Sequence, residues 1–137
     1  HQQVRVRMKD NTVHKGIIEV WNLDLNFFYL TAMVGEQEES ISLRFDEVSH
    51  IHFYRDESER SMESVPHPLR DRRLKHKKAV TITLVTNRKL KGFVDKRYQY
   101  DKESSGVFLM PPPESVDIQY TYIPRTSIKT VIIENPK

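Results

Sequence analysis

The chain has 137 residues, 37% hydrophobic, 30% charged and 9% aromatic, with a formal net charge of +3. That supplies enough apolar and aromatic surface for packed cores, which excludes a disordered chain, and no apolar run approaches the ~18 residues of a spanning helix. The lack of cysteine excludes disulfides and thiol catalysis and fits a reducing, cytoplasmic compartment, while four glycines are too few for a glycine-rich phosphate loop. A first residue His1 rather than methionine reads as a piece of a longer protein.

In chain order the elements read as β. Val4-Arg5-Val6-Arg7-Met8 alternates apolar and charged residues with period two, the mark of a half-buried strand. Lys9 to Thr12 is a polar turn, and a second strand starts at Lys15-Gly16 and runs to Val20. Phe27 to Met33 is an apolar third strand, Glu36 to Ser40 an acidic loop, Ile41 to Arg44 a short fourth strand, and Val48 to Tyr54 a fifth. Residues 56–78 form a charged linker. Asp56, Glu57, Glu59 and Glu63 make its first half acidic, and Arg70, Arg72, Arg73, Lys75, Lys77 and Lys78 make its second half basic. A short helix over 69–78, started by Pro68, is the alternative to a flexible connector. Strands then return at Ala79 to Val85, Leu90 to Asp95, Val107 to Met110, Asp117 to Ile123 and Ile128 to Glu134.

The second series repeats the first. Val4, Val6, Met8, Asn11 and Gly16 face Val80, Ile82, Leu84, Asn87 and Gly92 at one offset of 76. From Phe28, facing Phe108, the offset becomes 80, and Leu43, Val48, Ile51 and Phe53 face Ile123, Ile128, Val131 and Ile133. The chain therefore reads as two copies of one unit, residues 1–55 and 79–137. Five strands in so few residues predict a small, strongly bent barrel or roll, kinked where Gly16 and Gly92 let another strand pass close.

Gly16, then Asn22-Leu23-Asp24-Leu25-Asn26, then Leu43-Arg44-Phe45-Asp46 resemble the two motifs of the Sm-like RNA-associated proteins. The resemblance covers most of the first copy and only the strands of the second. It implies two tandem Sm-like barrels, and RNA or single-stranded nucleic-acid binding through Asn26 and Arg44, joined by the cations Arg70 to Lys78. Asn22, Asp24 and Phe45 depart from the motifs: Asp24 offers no ring face for a base, and Phe45 replaces the small residue after the arginine. Both copies are also similar to small bacterial β domains that accompany signalling, type IV pilus or motility proteins.

No catalytic set is evident. Ser49 and His50, as strand neighbours, are expected on opposite faces, and no oxyanion loop accompanies them. His50 and His52 share a face without a third ligand, so they read as solvent-facing strand histidines rather than a metal site. Asp101 to Gly106 resembles the second motif of PilZ cyclic-dinucleotide receptors, but Glu103 stands where serine is required and the arginine pair is missing. Tyr98, Tyr100, Tyr120 and Tyr122 form two same-face pairs and read as an interaction surface. These observations add up to a non-enzymatic protein-interaction or regulatory module without cofactor or metal, part of a larger bacterial protein. Its expected partner is another protein or the rest of the parent chain, and it has room to oligomerise. The alternatives are RNA binding and, less well matched, cyclic-dinucleotide sensing.

Overall fold

The computed structural model describes residues 3–20, 25–54, 77–95, 106–112 and 117–133. Among them the chain is all-β: β1 (Gln3–Met8), β2 (Val13–Val20), β3 (Phe27–Val34), β4 (Gln37–Arg44), β5 (Val48–Tyr54), β6 (Lys77–Leu84), β7 (Lys89–Asp95), β8 (Gly106–Leu109), β9 (Ile118–Pro124) and β10 (Ile128–Ile133). Short 3-10 turns at Phe45–Glu47 and Arg125–Ser127 precede β5 and β10. One sheet runs β4-β3-β2-β1-β5-β9-β8 and the other β10-β6-β7, all antiparallel where paired. A bridge between Phe93 and Met110 ties β7 to the end of β8, and neither sheet closes into a barrel.

The strand pairings repeat residue for residue. Val4 lies opposite Gly16 and Phe53, and Val80 lies opposite Gly92 and Ile133. Both β-hairpins opening the repeats turn through an asparagine in the left-handed region, Asn11 at φ 74° and Asn87 at φ 72°. Asparagine enters that region more easily than other residues with a Cβ. Behind each glycine runs a carbonyl of the third strand. A Cβ on Gly16 would overlap the Thr31 carbonyl, and one on Gly92 would lie 2.8 Å from that of Met110. This is where each sheet bends over its core.

Several expectations change. In the third strand Val107, not Phe108, occupies the place of Phe28: Phe28 pairs with Leu43 as Val107 pairs with Ile123. Its offset is 79, so the insertion is split between two loops. Of the acidic loop expected over Glu36 to Ser40, only Glu36 stays in a turn and Gln37 to Ser40 start β4, because an edge strand keeps charged side chains in water on both sides. Lys77 and Lys78 belong to β6, which removes them from the linker and from a helix over 69–78; the rest of that linker lies outside the described residues. The strand expected over Asp117 to Ile123 is β9, which starts at Ile118 and runs on through Pro124.

One core gathers Val4, Val6, Phe28, Leu30, Val48 and Ile51 from the first half together with Tyr122. The other gathers Val80, Ile82, Leu84, Val107, Leu109 and Ile123. β9 serves both, because its successive side chains point to opposite faces. Backbone packing tests the bend directly. Gly16→Ala is expected to cost about 3 kcal/mol and Gly92→Ala about 1–2 kcal/mol in urea unfolding, the order following the tighter approach at Gly16. Asn11→Gly and Asn87→Gly should be near neutral in the same assay, whereas alanine at either position should cost about 1 kcal/mol.

Candidate functional site

On β1 the core takes Val4, Val6 and Met8, so Arg5 and Arg7 alternate onto the other face, each half-buried. Their partners on β5 are His52 and His50, and on the far side Lys15 lies opposite Arg5. A β-bulge interrupts β5 at Ser49, where the pairing steps from Arg7–His50 to Met8–Val48. The bulge cancels the alternation expected of Ser49 and His50: both are buried, and Ser49 Oγ lies 3.0 Å from His50 Nδ1. The expectation of solvent-facing histidines is likewise overturned. His50 is 0% exposed and His52 half-buried, because β9 covers the far edge of β5.

His52 Nδ1 bonds Thr121 Oγ1 of β9 at 2.8 Å, and the two imidazoles meet edge to face with centroids 4.9 Å apart. Burial lowers the pKa of His50 from 6.5 to about 3 and that of His52 to about 4. The charges of Arg5, Arg7 and Arg88 push both further down, as does His52 for His50. Both rings are therefore neutral near pH 7. His50 Nε2 and the neighbouring half's Ser127 Oγ are buried without a hydrogen-bond partner. Among the described residues no cluster of three metal-ligating side chains occurs.

The sequence-derived candidates separate. Asn26 and Arg44 come together at the end of β3 and β4, where Phe45 N–H donates to the Asn26 carbonyl at 2.9 Å. Arg44 is engaged by Asp46 at 2.9 Å. Its counterpart in the second half is Pro124, which is buried. Lys77 approaches Asp95 at 4.0 Å, and no contact among the described residues joins Lys77 or Lys78 to Arg44. Arg70, Arg72, Arg73, Lys75, Tyr98 and Tyr100 lie outside the described residues. Tyr122, 1% exposed, belongs to the first core and offers no surface. Tyr120 is half-buried, stacks on Phe53 at 4.6 Å and lines an open groove of about 450 Å³ with Phe93, Phe108, Met110, Lys77 and Asp95.

The profile of DUF6982, a family of unknown function, matches residues 1–134. The chain belongs to this family. No curated protein and no solved structure matches it. Within this DUF6982 chain, reading the sequence alone passed over Arg5, Arg7, Arg88, Thr121 and Ser127. The available signal was the charge inserted at every second position of β1, against Thr81 and Thr83 at the same places in β6.

The buried imidazoles set an acid limit on stability. The unfolded chain takes up their protons near pH 6.5, whereas folded His50 stays neutral down to about pH 3. Between those values the unfolded state holds more protons, so stability is complete above pH 6.5 and falls as pH drops through the window. His50 alone accounts for about 2 kcal/mol at pH 5. Urea titrations at a series of pH values should show this slope, and His50→Gln should roughly halve it, leaving the contribution of His52.

Proposed function

We propose that this chain is a non-enzymatic protein-interaction module built from two Sm-like β units, carried by a larger bacterial cytoplasmic protein. The reading rests on the outer edge of β10. In the first half the corresponding strand, β5, is covered by β9, with Ile51 opposite Tyr122 and Phe53 opposite Tyr120. Among the described residues nothing pairs with that side of β10, although Val131, Ile132 and Ile133 lie along it and Ile132 is 59% exposed. An apolar strand edge with free backbone donors and acceptors accepts an extended segment of another protein, which adds as a further strand. The counterpart of Ile132 at the internal joint is His52, facing Thr121, so a partner strand carrying an apolar side chain at that place suits β10.

RNA binding through Asn26 and Arg44 is the competing reading, favoured by the adjacency of the two residues. The pairing of Arg44 with Asp46 weighs against it, since that carboxylate stands where a phosphate would approach. A photo-crosslinking side chain at position 132 in the parent protein, irradiated in cells, separates the two. A discrete protein adduct that disappears with Val131→Pro is expected. Absence of a protein adduct, together with sub-micromolar, salt-dependent RNA binding lost in Arg44→Ala, would replace the interaction reading.

A further inference from the structure

The duplication supplies an internal reference for the outer face of β1 and β5. Core positions keep their character between the halves, but this face does not. Where the first half carries Arg5, Arg7, His50 and His52, the second carries Thr81, Thr83, Thr130 and Ile132. Threonine and isoleucine are the ordinary β-formers for such positions. Arginine and histidine there cost side-chain entropy and place like charges side by side. Arg88, in the exposed turn between β6 and β7, adds a third cation, whose charge lowers the pKa of both imidazoles. That turn is docked on the second half through Val85 N–H to the Ser127 carbonyl at 2.8 Å.

Among the described residues this face shows no carboxylate partner for Arg5, Arg7 or Arg88. Ser49 Oγ lies 3.0 Å from His50 Nδ1, and His50 Nε2 is buried without a hydrogen-bond partner; in the tautomer in which Ser49 donates to Nδ1, that nitrogen is an unpaired donor. A buried donor left unpaired is destabilising, and an anion offers it an acceptor. Arginine forks match the oxygens of a tetrahedral oxyanion, and several of them favour a doubly charged one over a carboxylate.

We propose that the face of β1 and β5 that carries Arg5 and Arg7 is an oxyanion site of the phosphate class, in which Arg5, Arg7 and Arg88 hold the anion beside the His50–His52 pair. His52 is oriented by Thr121 and His50 by Ser49, so both rings are fixed before the ligand arrives. Either a free phosphate ion or the phosphoryl group of a larger ligand satisfies this chemistry.

Inorganic phosphate titrated at constant ionic strength, with the histidine ring resonances followed by NMR, tests the site. The expected result is a saturable shift of both His50 and His52, with affinity at least about tenfold lower in Arg7→Gln and in Arg88→Gln. Lys129→Gln removes the same charge elsewhere and should leave the affinity unchanged. Phenyl phosphate run in parallel identifies the source: tighter binding than inorganic phosphate points to a larger ligand, weaker binding to the free ion. A shift that does not saturate, an equal loss in Lys129→Gln, or acetate binding as tightly as phosphate would overturn the assignment. Arg88 lies in an exposed turn, so its variant keeps the test open should Arg7→Gln fail to fold.

Discussion

The pairing of β5 with β9 is the joint on which the rest of the molecule depends. It joins a strand of the first half to one of the second, and the alternation of β9 sends Tyr122 into one core and Ile123 into the other. Phe53 stacking on Tyr120 adds an aromatic pair worth about 0.5–1.5 kcal/mol beyond its area. The same joint buries the histidines: without β9 the outer edge of β5 would be wet, and His52 would lose Thr121. The two halves therefore share a sheet and a strand.

Duplication and divergence act on different parts of the chain. What repeats is the backbone problem: the same turn through asparagine, the same glycine under the same carbonyl, the same bulge at Ser49 and at Lys129. What diverges is whatever the backbone leaves free. The strand pairs Arg5–His52 and Arg7–His50 became Thr81–Ile132 and Thr83–Thr130, and the end of the fourth strand went from Arg44 to Pro124. A hairpin turn or a close strand crossing admits one or two residue types, while the outward face of a strand admits most of them. The outer faces are accordingly where the halves acquired separate chemistry.

The frame was legible because it rests on local rules. Period-two alternation located β1 and β6, and the glycines located the bends. The third-strand offset was not, because Phe28 matches Phe108 in apolar character as well as it matches Val107. The strand pairing, and with it the approach of Gly16 to Thr31 and of Gly92 to Met110, decides between them. The acidic start of β4 hid a strand, since an edge strand tolerates charges that a central one would not. Ser49 and His50 were misplaced because a bulge is a property of two paired strands. The burial of His50 depends on β9, which lies far along the chain.

That distance bears on how the molecule is assembled. Ile51 and Tyr122 meet across about 70 residues, among the more distant pairings in the sheet, and contacts of such separation form late. During synthesis the first five strands emerge with the outer side of β5 bare, and they stay so until β9 follows. The strand that seals the first half is made about 70 residues after the strand it covers. The order in which the ribosome delivers the strands is therefore not the order in which the sheet can be completed.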